Sequence, residues 1–263
     1  MTYDVEALAY HVSYSSDVGS GADSGAMHSE WSGDVEATPL QGRIVFSSVS
    51  GKNVFGEGDY ALFDRAGAII VRPQTRTVVD VAPSVRAALS RAQYQIAVKD
   101  LEWTVETLTE DEVVAGYHTV HCRATATHRL EIATSAASFL NPNGALQPIS
   151  TTVADYWYAK VDGLPANPVT PFMSPGLNKS AGAAELVSMW ASIAAELEPL
   201  GEAIQFHTVI RVKTGEIENV SRFGGVVSDI RRIRIDPLVL TAPGDFFAPE
   251  SDAIARDRWS NPP

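Results

Sequence analysis

The stretch that decides the fold is HTVHCRATATHRLEI, residues 118–132. Its odd-numbered positions are uniformly polar, whereas its even-numbered positions are mostly apolar. The mostly apolar positions are His118, Val120, Cys122, Ala124, Ala126, His128, Leu130 and Ile132. A period of two is typical of a strand with one face on a core and the other in water. The pattern therefore predicts a long strand of an antiparallel sheet.

Similar strand patterns flank this stretch on both sides. They cover residues 68–71, 77–81, 101–107, 153–161, 203–213, 217–223 and 226–235. Pro73–Thr75 and Thr214–Glu216 are typical of hairpin turns, and Glu110–Glu112 is interpreted as a solvated turn. The close spacing of the strands predicts a meander.

Helices are few, and two long loops are predicted. The stronger helix candidate is Ala181–Leu197, where apolar residues recur at helical spacing, and a short second helix is predicted at 84–93. A flexible Gly/Ser-rich loop is predicted at Asp17–Gly33 and a Pro-rich loop at 162–182. With no domain linker, residues 1–263 are expected to form a single, mostly β domain of the α+β class.

Composition excludes several classes of function. The 263 residues carry a formal net charge of −12, which disfavours nucleic-acid binding. The single cysteine excludes an intramolecular disulfide and a multi-cysteine metal site. No window reaches the roughly 20 apolar residues of a membrane-spanning helix. Residues 1–14 do not form a signal peptide, so the protein is expected to be cytoplasmic, or exported with a leader outside this sequence.

No residue pattern indicates catalysis, a cofactor or a metal site. His118 and His121 would point to opposite faces of a strand, and His128 would lie roughly 33 Å from His118. Cys122 falls on the apolar face, where a thiol is usually inert. The sequence contains neither a phosphate-binding loop nor a nucleophile elbow. Catalytic residues, cofactors and metals are therefore all predicted to be absent.

Two residue sets could form binding sites. Arg231, Arg232 and Arg234 would form either a solvated stripe or a docking patch for an acidic partner or a lipid head group. A second set would line an apolar pocket if the sheet curves around the helix without closing tightly, and would otherwise fill a core. Its members are Trp103, Tyr156, Tyr158, Met189, Trp190, Phe206 and Phe223.

The order of short motifs resembles the outer-membrane lipoprotein carrier superfamily, especially its uncharacterised exported members. The matching segments are residues 42–46, 60–63, 68–79, 114–119, 155–159, 201–212, 227–230 and 246–249. The resemblance implies a curved, unclosed antiparallel sheet, or half-barrel, wrapped around one or two helices and an apolar cavity. It also implies a location in the periplasm or cell envelope. It assigns no catalytic residue.

Three functions are compatible with this reading. The leading hypothesis is a non-enzymatic bacterial envelope protein that binds a lipid or acyl chain between sheet and helix. The alternative is an accessory structural subunit, docked on a larger membrane-associated complex through its long loops and the arginines. The third is a hydrolase, for which a pair of strongly perturbed titratable groups in one cleft would be needed.

Overall fold

The computed structural model describes residues 4–20, 24–51, 53–64, 67–80, 94–134, 147–172 and 184–246. Most of these residues belong to strands. The strands are β1 Val5–Ser20, β2 Ser24–Ala37, β3 Gln41–Gly51, β4 Tyr60–Asp64, β5 Gly67–Arg72, β6 Thr77–Asp80, β7 Tyr94–Val114, β8 Tyr117–Thr134, β9 Ile149–Ala159, β10 Glu202–Thr214 and β11 Ile217–Ile235. Helix α1 covers Ala184–Leu197, and 3-10 turns cover Glu198–Leu200 and Pro237–Leu240.

All eleven strands belong to one antiparallel sheet, in the order β6-β5-β4-β3-β2-β1-β11-β10-β9-β8-β7. Two meanders, β1–β6 and β7–β11, are joined where the first strand pairs with the last, from Val5 opposite Ile235 to Gly19 opposite Val220. Strands β6 and β7 form the two edges, so the sheet is not closed. The predicted fold class, a curved unclosed antiparallel sheet around a helix, is confirmed.

Strand β8 has the alternation that its sequence predicts. Cys122, Ala124 and Ala126 are at most 1% exposed, and the polar residues between them are half-buried. Helix α1 packs on these small side chains through Met189, Ile193 and Leu197, which recur every four residues along one side of the helix. The predicted helix is therefore present from Ala184, and its first three predicted residues lie outside the described part of the chain.

The two predicted hairpins are also present. β5 and β6 pair around the turn at Pro73–Thr75, and β10 pairs with β11 around Gly215. The strands predicted at 217–223 and 226–235 form the single strand β11, because the glycines that separated them in the sequence stay in the ladder with β1 and β10.

The prediction of a loop at Asp17–Gly33 is wrong. The described residues of that segment belong to β1 and β2, which pair from Leu8 opposite Ala37 to Ser20 opposite Ser24. The outward face is polar, and Asp17 accepts a 2.7 Å hydrogen bond from the His28 ring. The sequence did not indicate strands here because the outward face carries polar and small residues, which are also typical of loops. Only the other face of the hairpin covers a core.

The solvated turn predicted at Glu110–Glu112 is also misplaced. These acids lie within β7, and the chain turns at Ala115 and Gly116, which both have positive φ angles of 51° and 84°. Of the predicted Pro-rich loop, residues 162–172 contain turns without helix or strand, and 173–182 lie outside the described residues. The second predicted helix, at 84–93, also lies outside them.

Candidate functional site: the concave face

The face of the sheet that carries Cys122 and Phe206, called the concave face here, is covered in two halves. Over β1–β4 and β11 it is covered by residues 161–172, which we call the plug. Over β7–β9 it is covered by helix α1. Each half has its own hydrophobic cluster. A binding surface on this face would therefore lie at the boundary between the two clusters.

The plug packs against the sheet through a cluster of aromatic rings. The Phe172 ring lies 5.2 Å from Trp31, 5.6 Å from Phe46 and 5.8 Å from Phe55, measured between ring centroids. These contacts are tilted or edge-to-face, the arrangements that aromatic rings prefer. Trp31, Phe46 and Phe172 are at most 4% exposed. These rings are therefore buried beneath the plug.

Local turns hold the plug in shape. The Asn167 side-chain amide donates to the Thr170 carbonyl at 3.0 Å and to its Oγ1 at 2.9 Å. The Asn167 backbone N–H donates to Glu202 at 3.3 Å. The pKa of Glu202 is raised because burial outweighs this hydrogen bond, which acts in the opposite direction. Proline residues in the segment prevent helix and ladder formation, which explains why it packs as turns.

Four half-buried aromatic residues cross the concave face between the two halves: Tyr14, Phe206, Tyr156 and Tyr158, called the aromatic row. Ring centroids are 6.3 Å apart for Tyr14 and Phe206, 6.5 Å for Phe206 and Tyr156, and 5.9 Å for Tyr156 and Tyr158. Burial raises the pKa of all three tyrosines, so their hydroxyls stay uncharged at neutral pH. The row is an uncharged aromatic surface.

The seven residues predicted to line a pocket lie in three places. Tyr156, Tyr158 and Phe206 belong to the aromatic row. On α1, Met189 is buried and Trp190 is half-buried against the cluster under the helix. The remaining two residues, Trp103 and Phe223, lie on β7 and β11, outside the aromatic row.

Of these two, Trp103 is 37% exposed and lines a groove of about 500 Å³ between β7 and α1, together with Leu101 and Met189. Phe223 is half-buried on β11, opposite Thr208 of β10. Sequence reasoning missed Tyr14. The alternation of Leu8, Tyr10, Val12 and Tyr14 could have revealed Tyr14, since it has the same period of two as β8.

The structure separates the three predicted docking arginines. Arg232 and Arg234 line one groove of about 550 Å³, where the Arg232 guanidinium lies 3.1 Å from the carboxylate of Asp162. Arg231 lines a different groove with His11 and other residues of β1 and β2. A docking role for the three arginines stays a prediction.

The histidines of β8 have separate environments. The His118 ring bonds to Asp111, and the His121 ring lies 3.1 Å from Asp155. Among the described residues, no group of three or more His, Cys, Asp or Glu side chains could hold a metal ion. Burial raises the pKa of Cys122, which disfavours the reactive thiolate.

An ion-pair network lies on the opposite, convex face. Asp155, which is 9% exposed, accepts two hydrogen bonds from Arg123 at 2.8 and 3.2 Å. His121 reaches the same carboxylate, and its ring stacks on Trp157 at 4.1 Å between centroids. These contacts join β8 to β9 and contribute nothing to the concave surface.

No helix in the described part of the chain is both long enough and apolar enough to cross a membrane.

The sequence matches no family model. It matches no curated protein either. Two solved structures are similar over most of the chain. The lipoprotein LppX of Mycobacterium tuberculosis is 13% identical, with 84% of this chain and 85% of LppX covered and a TM-score of 0.27. An outer membrane lipoprotein-sorting protein domain of Vibrio parahaemolyticus is 8% identical, with 86% and 85% covered and a TM-score of 0.23. The backbones superpose too loosely for any property of those proteins to be carried over to this chain.

Proposed function

We propose that this chain binds an apolar ligand, a lipid or acyl chain, on the concave face between the plug and helix α1. The observation that carries the proposal is the aromatic row. Its rings stay half-buried although they lie between two buried clusters. Half-exposed aromatic surface in a concave setting is typical of ligand sites that an apolar molecule completes.

The chemistry of the row fits a hydrocarbon. Phe206 has no polar atom, and the tyrosine hydroxyls stay protonated because burial raises the pKa of Tyr156 and Tyr158. Burying a methylene group contributes roughly 0.8 kcal/mol, so ten buried methylenes would supply roughly 8 kcal/mol before the costs of association. A shallow trough is therefore sufficient for useful affinity.

The proposed role is binding without catalysis, in a bacterial envelope. The buried Cys122 has a raised pKa, which supports a packing role for this thiol. The motif order described above supports the envelope location.

The proposal is tested with purified protein by native mass spectrometry and by displacement of the fluorescent apolar probe 1-N-phenylnaphthylamine. We expect a co-purifying lipid or a saturable probe site. Phe206→Ala should weaken probe binding about tenfold, the equivalent of roughly 1.4 kcal/mol of lost aromatic contact.

The matched control is Val209→Ala, on the same strand but on the convex face, opposite Arg222. It should bind the probe as the parent protein does. The proposal is wrong if the purified protein neither carries a lipid nor takes up the probe, or if both variants weaken binding equally.

A further inference from the structure

One end of the concave face carries a line of polar residues that the fold does not use. The strand register places His128 of β8 opposite Ser150 of β9, Ser150 opposite Val212 of β10, and Val212 opposite Asn219 of β11. His128 is 7% exposed and Ser150 is 5% exposed. We call His128, Ser150 and Asn219 the polar row.

Two atoms of the polar row are buried without a hydrogen bond. They are Nδ1 of His128 and Oδ1 of Asn219, and neither has a partner in the described structure. Buried polar atoms are almost always paired, because an unpaired one loses its hydration without compensation. Tyr10, Arg43, Arg129 and Trp157 also have an unpaired buried atom, but His128 and Asn219 share one row of the concave face, where one bound molecule would supply both partners.

The polar row is continuous with the proposed apolar site. Along β9, the concave face carries Tyr156 of the aromatic row, then Ala154, Thr152 and Ser150. Tyr156 and Ser150 are six residues apart, or roughly 20 Å along a strand. On its other side, His128 lies opposite the β-bulge that contains Leu101, a wall residue of the groove between β7 and α1. A single elongated ligand could therefore contact both rows.

The side chains of the polar row select the head group by its chemistry. Burial lowers the pKa of His128, so the imidazole is neutral, and a neutral imidazole offers one donor and one acceptor. The Asn219 Oδ1 atom accepts only, so its partner must be a donor. None of the three residues is charged, and a carboxylate or phosphate would find no counter-ion in the row.

We propose that the ligand of the concave face is an amphiphile with an uncharged head group bearing more than one hydroxyl, and that this head group binds the polar row. The inference rests on the proposed function. A hydroxyl both donates and accepts, which suits His128 and Asn219 together. Three strand spacings separate their backbones by roughly 14 Å, so one hydroxyl cannot reach both atoms.

The experiment compares three ligands with the same acyl chain: sucrose monooleate, whose disaccharide carries hydroxyls about 10 Å apart, methyl oleate and oleate. Each displaces 1-N-phenylnaphthylamine from the full chain. We expect sucrose monooleate to bind about tenfold tighter than either methyl oleate or oleate, which is the effect of one or two net hydrogen bonds. His128→Phe and Asn219→Leu should each reduce that preference, while methyl oleate binds as before. The control Glu218→Gln, on the convex face beside Asn219, should leave all three affinities unchanged.

The outcomes separate the two proposals. If no ligand displaces the probe from the parent protein, the proposed function fails and this inference fails with it. If all three ligands bind equally well, or if His128→Phe and Asn219→Leu leave the preference for sucrose monooleate intact, the apolar site stands and the head-group site is refuted. Comparing ligands on the parent protein needs no variant to fold.

Discussion

The plug half and the helix half of the concave face bury apolar surface in different ways. Under the plug, bulky rings from the sheet meet a segment without regular structure, and Phe46 and Phe172 are 0% and 4% exposed. Under α1, the sheet contributes mainly Cys122, Ala124 and Ala126, and the bulk comes from the helix. Small side chains on the sheet let a helix approach closely. Large side chains leave an uneven surface, which a segment without regular structure can fill more closely than a helix.

The difference explains where surface is left uncovered. The plug buries the rings beneath it, while helix α1 covers only a stripe of the sheet. Tyr156, Tyr158 and Trp190 stay half-buried beside that stripe. Tyr14 and Phe206 pack against the plug-side cluster instead, so the open aromatic surface spans the boundary between the two halves. The predictions below ask whether the two halves behave as separate units.

The largest effect is expected for Phe172→Ala. The change empties the middle of the aromatic cluster, and Phe→Ala substitutions in cores cost about 3–5 kcal/mol of unfolding free energy. Chemical denaturation followed by tryptophan fluorescence measures it, because the Trp31 ring lies 5.2 Å from Phe172. A loss below roughly 1 kcal/mol would show that the plug is not part of the stable core.

A smaller loss is expected for Ile193→Ala in the helix half. Ile193 is 2% exposed, but half-buried neighbours can close the space, so the cost should fall near the lower end of the roughly 2–5 kcal/mol range. The same denaturation measurement applies. Ala194→Gly, on the exposed side of α1, is the control for helix propensity and should cost about 1 kcal/mol. An equal or larger loss than for Phe172→Ala would reverse the ranking of the two halves.

Gly225→Ala tests the contact between the plug and β11. A Cβ atom at this position would lie 2.4 Å from Val169 Cγ1, so the plug must shift, at a cost of about 1–3 kcal/mol. Gly224→Ala is the matched control, since its Cβ would meet the nearest neighbours at 3.6–3.8 Å. Thermal unfolding should separate the two variants. Equal melting temperatures would mean that the plug does not rest on Gly225.

The smallest effect is a difference in thiol reactivity. Cys122 is 0% exposed, and burial raises its pKa, so at a given pH it carries less thiolate than a free thiol. Alkylation by iodoacetamide at pH 8 should therefore be slow. Ile193→Ala should speed it and Phe172→Ala should not, because Cys122 lies under the helix. Equal acceleration by both changes would indicate one cooperative core.

Much of the strand content was predictable because it is local. The alternation in β8 and the turn residues between β5 and β6 depend on neighbours in sequence, and the structure has both. The sequence predicts a loop at residues 17–33, where the structure has parts of β1 and β2, because the outward face of this hairpin is rich in serine and glycine. Its burial on the other face depends on the plug, which the sequence of the hairpin does not contain.

The candidate site also contains residues that the sequence could indicate and residues that it could not. Tyr156 and Phe206 are candidates from the sequence because they are aromatic residues on predicted elements that are expected to approach one another. The polar row was not predictable, because His128 and Asn219 are brought onto one line by register across four strands, β8 to β11. Register between distant strands depends on packing and turns throughout the sheet.

The sequence by itself determined that the chain is mostly β, with antiparallel strands and one amphipathic helix, because hydrophobic period and turn chemistry are properties of short segments. Only the tertiary structure decided that β1 pairs with β11, that the Pro-rich segment covers half of the concave face, and that two unpaired buried atoms share one row. The reason is physical: these features depend on contacts between residues far apart in the chain, and such contacts are fixed by how the whole sheet packs.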